Sequence, residues 1–251
     1  MNIHEYGSRE NPTILLLHGF QCPWQMWEPY GEHFRDRYHV LVPVLPGHDP
    51  RQPEEFISFG KSAEEIENFC REIGKTEILA VYAISMGGVQ ASVLMERKQL
   101  QIRKLIMESS PLLPFSKAMA WLMTRMYLDL THKTQQRDEK TLKNARDFMG
   151  ERNYPQFLEV LDQMTDTTLK AYLDQVYPYQ IPEDLDFSHT ELWYFYGGKP
   201  QEKPFKKVAV YLKKHDPEAE TKCFPGMGHC EGIIKDPESR FRDLEKIFQQ
   251  E

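Results

Sequence analysis

The sequence predicts an α/β fold: a mostly parallel, doubly wound sheet with helices on both faces. Three observations lead there. Residues 13–18 (TILLLH), 39–45 (HVLVPVL) and 77–84 (EILAVYAI) are short, near-continuous apolar runs, the composition of strands buried on both sides. Segments with apolar residues at helical spacing separate them. Turn signals such as Pro46-Gly47 close the runs. Strand and helix in alternation make a parallel sheet with right-handed crossovers.

The first strand, 13–18, ends in His18-Gly19, a buried run passing into a loop. Trp27, Tyr30 and Phe34 place an apolar face on a helix over 24–37. After the strand at 39–45 comes a polar loop with Pro50 and Pro53. A helix follows at 62–73, with Ser62 as N-cap, Glu65 at the capping-box position and Gly74 as the stop. Its inner face is Ile66, Phe69, Cys70 and Ile73. The most apolar strand, 77–84, leads into a helix just after Ser85, and a further strand covers 102–107.

Between Pro111 and Phe187 the strand signals stop. Helical pattern replaces them at 115–130, 137–150, 153–163 and 166–176. The stretch is neither Gly/Ser-rich nor repetitive, so residues 111–187 read as an inserted helical lid. Sheet grammar returns with a strand at 191–196, a helix at 203–215 and a strand at 219–224. Asp236 as N-cap and Pro237 at the first helical position open the last helix. The expected core is thus 1–110 with 188–251.

Composition removes several functions. The chain's 251 residues bury a core large enough to need no disulfide or metal staple. The net charge of −7 argues against nucleic acid as partner. The longest apolar stretch, near 78–84, is far short of the roughly 20 residues of a membrane helix. MNIHEYGSRE lacks the basic segment and apolar run of a secretory signal. Cys22, Cys70, Cys223 and Cys230 are scattered, as free thiols in a reducing compartment would be, so a cytoplasmic protein is expected. The histidines show no HxH or HExxH spacing and no glycine-rich phosphate loop is present. Neither metal nor cofactor is expected, and the partner is a small-molecule substrate.

The sharpest motif is Ala83-Ile84-Ser85-Met86-Gly87-Gly88, between a buried strand and a helix. A serine there sits on a tight turn with its hydroxyl raised above the sheet edge. The Phe20 N–H, after His18-Gly19, stands opposite the Met86 N–H as a second donor to an oxyanion. Serine needs a base near neutrality, and His229 follows a Gly-Met-Gly loop late in the chain.

The sequence resembles the α/β-hydrolase family. The matching segments are LLLHGF (15–20), VLVPVLPGH (40–48), AISMGG (83–88) and GMGH (226–229), in the family's order. The resemblance implies the α/β-hydrolase fold with a helical cap inserted after the sixth core strand. It also implies a Ser–His–acid triad with Ser85 and His229 at the matching positions. Ala83 departs from the usual glycine, and Val44 and Asp49 stand where the family often has an acid and a glycine.

The acid position is irregular. The family acid follows the strand at 191–196, where Pro200 stands here and Glu202 lies two residues on. Glu108, just after the preceding strand, is the rival. Either would orient the imidazole. Asp184 and Asp186 precede the strand and are worse placed.

The lid should set substrate choice. Met119, Trp121, Met123, Met126 and Tyr127 offer an apolar acyl or aryl pocket, and Trp24 is a further substrate contact. The expected activity is serine hydrolysis of a carboxylic ester or thioester of small to medium size. Carbon–carbon bond hydrolysis or lyase chemistry on the same triad, and a catalytically weak ligand-binding role, are the alternatives.

Overall fold

The computed structural model describes residues 1–250. The chain enters through β1 (Asn2–Tyr6) and β2 (Thr13–Leu17), and a 3-10 turn at Trp24–Trp27 leads into α1 (Glu28–Phe34). β3 (His39–Val44), α2 (Phe59–Glu72), β4 (Glu77–Ile84), α3 (Met86–Arg97) and β5 (Gln101–Glu108) follow. Three helices then interrupt the sheet: α4 (Lys117–Gln135), α5 (Glu139–Gln163) and α6 (Asp166–Val176). β6 (Glu191–Gly197), α7 (Lys203–His215), β7 (Glu220–Phe224), α8 (Glu231–Lys235) and α9 (Glu238–Gln249) complete the chain.

The seven strands form one sheet in the order β1-β3-β2-β4-β5-β6-β7. Only β1 runs antiparallel, along β3. β2 and β3 are buried along their whole length, which is why they read as unbroken apolar runs. Two cores lie on opposite faces. One packs Ile66, Val89, Leu173 and Leu212 from α2, α3, α6 and α7. The other packs Trp27, Tyr30, Phe157, Ile233 and Leu244 from the 3-10 turn, α1, α5, α8 and α9.

The inserted helices follow the fifth strand of the chain, not the sixth, because a single strand precedes β2 at the sheet's amino-terminal edge. The helix expected at 62 begins at Phe59, and its N-cap is Ser58, whose hydroxyl accepts the Lys61 N–H at 3.1 Å. Phe59 packs edge-on against Phe56 at 5.1 Å, so starting the helix earlier buries an aromatic ring. Ser62 is buried inside the helix, and Glu65 pairs instead with the N-terminal ammonium at 3.0 Å. The helical segments at 137–150 and 153–163 are the two halves of α5, parted at Gly150, whose φ 71°, ψ 160° is not helical.

Candidate active site

β2 and β4 are neighbours, with Leu17 opposite Ala83. The chain leaves β2 for β3 on one side and β4 for β5 on the other. Their loops diverge and open a crevice at the carboxyl edge, the usual site of binding in open α/β sheets. Ser85 and the loop 18–22 enter it. Ser85 adopts φ 49°, ψ −122°, a conformation costing on the order of 1–3 kcal/mol for a residue with a side chain. Its N–H donates to the Glu108 carbonyl at 2.8 Å, and the Gly88 N–H donates to its own carbonyl at 3.0 Å. Gly87 is needed because a Cβ there would lie 2.5 Å from the Leu17 carbonyl oxygen. α3 therefore starts flush against the end of β2.

His229 arrives on the loop after β7. Its Nε2 lies 2.9 Å from Ser85 Oγ. Its Nδ1 faces Glu202 Oε1 at 3.4 Å, an ion-pair distance rather than an aligned hydrogen bond. That oxygen has no hydrogen-bond partner among the described residues, so it is free for the imidazole. The other carboxylate oxygen accepts from Ser109 Oγ at 2.6 Å and from the Gly197 N–H at 3.3 Å. Burial alone would raise the Glu202 carboxyl. His229, Ser109 and the Gly197 N–H outweigh it and hold the group below its ordinary value. An ionised Glu202 fixes the proton on Nδ1 and leaves Nε2 to accept from the serine hydroxyl. Glu202 ends a 3-10 turn, Pro200–Glu202, and Gly197 lets it tuck in: a Cβ at 197 would lie 2.9 Å from Glu202 Cγ and strike the Met227 carbonyl.

Glu108 does not meet the imidazole. Its carboxylate takes two bonds from Arg240, at 3.0 and 2.9 Å, and one from the Tyr82 hydroxyl at 2.7 Å. Strand alternation explains where it points. Glu108 shares a face with Ile106, toward α9, where Arg240 is buried. The next residue, Ser109, turns to the Glu202 side.

At the crevice's other wall, neither the Phe20 N–H nor the Met86 N–H has an acceptor among the described residues. Two buried histidines shape this loop. The Leu45 N–H donates to His18 Nε2 at 3.0 Å, so Nδ1 carries the proton and donates to the Gly19 carbonyl at 2.9 Å. The Gln21 N–H donates to His48 Nε2 at 2.9 Å, and His48 Nδ1 donates to the Pro46 carbonyl at 3.2 Å. Burial lowers His18 to about 4, against the opposing pull of the Gly19 carbonyl. Burial, and then His18, depress His48. Both are neutral at physiological pH.

The sequence profile described as the Alpha/beta hydrolase family matches residues 14–243. The chain belongs to that family. A curated relative, an uncharacterized hydrolase of Saccharomyces cerevisiae (YNR064C), is 33% identical over 70 residues, which is 28% of this chain and 22% of the yeast protein. The chain thus spans about a fifth of that relative's length. An alpha/beta hydrolase family protein from Desulfitobacterium hafniense superposes with TM-score 0.77 at 21% identity, covering 99% of this chain and 100% of its own. An esterase from Exiguobacterium antarcticum gives TM-score 0.77 at 16% identity, over 99% and 95%. At such identities the two structures speak for the fold.

In this α/β hydrolase a cavity of about 300 Å³ opens onto Ser85 and His229. Phe20, Cys22, Tyr127, Phe148, Met149 and Phe157 give it mostly apolar walls, and no Lys, Arg, Asp or Glu lines it. Of the expected substrate contacts Tyr127 lines the cavity, with Met126 beside it. The other four lie elsewhere. Trp24 stacks on His4 at 3.5 Å between centroids. Met119 lines a separate hollow with Phe115 and Phe205. Trp121 is exposed, its ring under Arg125 at 5.0 Å. Met123 packs against the core. The cavity face of α4 lies further along the helix, at Met126, Tyr127 and Leu130.

Cys22 and Cys230 border the cavity as free thiols. Burial pushes Cys22 up to about 12 and Cys230 well above its ordinary value, so both stay protonated and weakly nucleophilic.

Several supporting residues were not singled out from sequence for their part here. Ser109 and Arg240 are two of them. Lys199 and Glu231 tie the acid loop to the histidine loop at 2.6 Å, and the Glu231 carboxylate also accepts the Gly228 N–H at 2.8 Å. Lys199, the Gly228 N–H and Lys235 hold Glu231 down to about 2. The signal was a glutamate two residues after His229, within reach of a lysine after β6. Among the described residues no helix is long and apolar enough to cross a membrane, and no cluster suits a metal ion.

Proposed function

We propose that this α/β hydrolase cleaves uncharged carboxylic esters or thioesters of small to medium size through a Ser85–His229–Glu202 triad. The observation that carries the reading is the 2.9 Å approach of His229 Nε2 to Ser85 Oγ at the mouth of an apolar cavity. Ser85 Oγ attacks the acyl carbonyl while His229 Nε2 takes its proton. The Phe20 and Met86 N–H groups hold the oxyanion, whose charge develops only in the transition state. Collapse expels the alcohol or thiol, which takes the proton from His229 and leaves an acyl-serine. Water, deprotonated by His229, then releases the acid and restores Ser85. Glu202 stays ionised throughout and stabilises the imidazolium.

Residues 111–187 act as the cap that selects the acyl group, through Met126, Tyr127, Phe148 and Phe157. The uncharged lining disfavours anionic acyl groups, which would be desolvated without a partner. Free thiols suit a reducing compartment such as the cytoplasm.

The test is hydrolysis of a p-nitrophenyl ester ladder, acetate to decanoate. Turnover by the wild type that vanishes in Ser85→Ala supports the reading, and the preferred length sizes the cavity. No turnover of any ester by folded wild type would overturn it.

A further inference from the structure

Two amide or hydroxyl side chains of the cavity, those of Asn144 and Tyr127, are left without a protein partner, and of the two Asn144 is exposed and Tyr127 half-buried. Tyr127 lines the cavity, and its hydroxyl makes no hydrogen bond among the described residues. The buried tyrosines nearby behave otherwise. Tyr82 donates to Glu108, Tyr172 to the Pro46 carbonyl and Tyr194 to the Ser110 carbonyl. The unpartnered hydroxyls of Tyr30 and Tyr177 are sealed from solvent, whereas Tyr127 borders open space.

Tyr127 is held still. Its ring stands edge-on to Phe20 at 5.3 Å between centroids. Its helical turn is tied to the oxyanion-side loop by a short relay. Gln21 Nε2 donates to Thr131 Oγ1 at 2.8 Å, and Thr131 Oγ1 donates to the Tyr127 carbonyl at 2.8 Å. Gln21 and Thr131 are both buried. Backbone and ring are thus anchored to the loop that presents the Phe20 N–H.

A phenylalanine would fill the same volume and keep the same ring packing. The hydroxyl faces open space that water can fill, so its donor is stranded, at a cost of about 1–3 kcal/mol, only when a bound acyl group displaces that water and offers no acceptor. Burial, with the Cys22 and Cys230 thiols, pushes the phenol up to about 12, so it remains a donor at physiological pH.

We propose that the Tyr127 hydroxyl is the cavity's recognition group, donating to an oxygen in the acyl part of the substrate. The preferred substrates are then uncharged acyl esters or thioesters bearing an ether, hydroxyl or keto oxygen, rather than plain alkanoates. This rests on the hydrolase reading above and adds the class of acyl group. A site that offers a donor discriminates against analogues lacking the acceptor, because the buried donor is then stranded.

The experiment compares wild type with Tyr127→Phe on matched p-nitrophenyl esters: methoxyacetate against butanoate, and methoxypropanoate against pentanoate. Within each pair one methylene becomes an oxygen. Intrinsic reactivity cancels when each ester is expressed as the ratio of wild type to variant. The proposal expects Tyr127→Phe to lose about tenfold in kcat/KM on at least one oxygen ester and twofold or less on its alkyl partner. Equal losses within both pairs would overturn it.

The same comparison by calorimetry uses methoxypropanamide and pentanamide on Ser85→Ala with and without Tyr127→Phe. It reads recognition without turnover, so a failure of the esterase reading stays distinct. Weaker binding of the methoxy amide alone in the double variant supports the proposal. Identical Kd ratios overturn it.

Discussion

Ser109 and Glu202 meet across the carboxyl edge of the sheet, the serine hydroxyl donating to the carboxylate at 2.6 Å. To do so Ser109 takes φ 48°, while its N–H donates to the Phe195 carbonyl at 2.9 Å. The preceding residue, Glu108, sends its own carboxylate to Arg240 on the opposite face. Two adjacent residues at the end of β5 thus serve two separate buried carboxylates. Glu202 stands two residues beyond the usual family position, and Ser109 helps hold it toward His229.

Ser109→Ala is expected to lower kcat about tenfold with little change in KM, from the loss of one hydrogen bond to a charged group. Removing that donor raises the Glu202 carboxyl, so the part of the acid limb of the kcat/KM profile that follows protonation of Glu202 begins at higher pH. The measurement is a pH–rate profile with p-nitrophenyl butanoate. An unshifted acid limb would contradict this role.

The two glutamates should separate activity from stability. Glu202→Gln is expected to cut kcat about a hundredfold or more, as loss of the acid partner does in a triad. Glu108→Gln leaves the buried Arg240 charge poorly compensated, at a cost of about 3–5 kcal/mol in unfolding free energy. Urea unfolding and ester hydrolysis on both variants check the crossing. Glu108→Gln as the more damaging change to kcat in folded protein would reverse the assignment.

Acid lability should come from the loop histidines. His18 is held neutral with its folded value near 4, below the ordinary 6.5. Below pH 6.5 the unfolded chain binds a proton that the fold does not. Stability conferred by the neutral group is therefore full above 6.5 and falls by about 1.4 kcal/mol per pH unit until about 4. His48 is depressed in the same direction. Denaturant midpoints between pH 7 and 4.5 test this. His48→Gln should flatten the slope by removing one of the two groups.

Much of this was legible because the chemistry is local. The buried strands betray themselves as apolar runs, and Ser85 and His229 sit in short motifs beside them. Glu202 is legible as a candidate from its place after the strand at 191–196, but Glu108 follows a core strand as well. Choosing between them needs the strand's facing, and the distant Arg240, which claims one of the two. β1 is not legible because it is a half-buried edge strand with no apolar run. The cavity face of α4 is not legible for a related reason. Apolar residues occur all round that helix, exposed at Met119, Trp121 and Leu122 and cavity-lining at Met126, Tyr127 and Leu130, so periodicity could not select one face.

The central claim is that His229 activates Ser85. A fluorophosphonate probe, followed by intact-mass and peptide analysis, tests it without knowledge of the substrate. The account predicts a single adduct on Ser85, absent in Ser85→Ala and formed at least a hundredfold more slowly in His229→Ala. Folded wild-type protein that stays unlabelled, or labels as fast without His229, would contradict it.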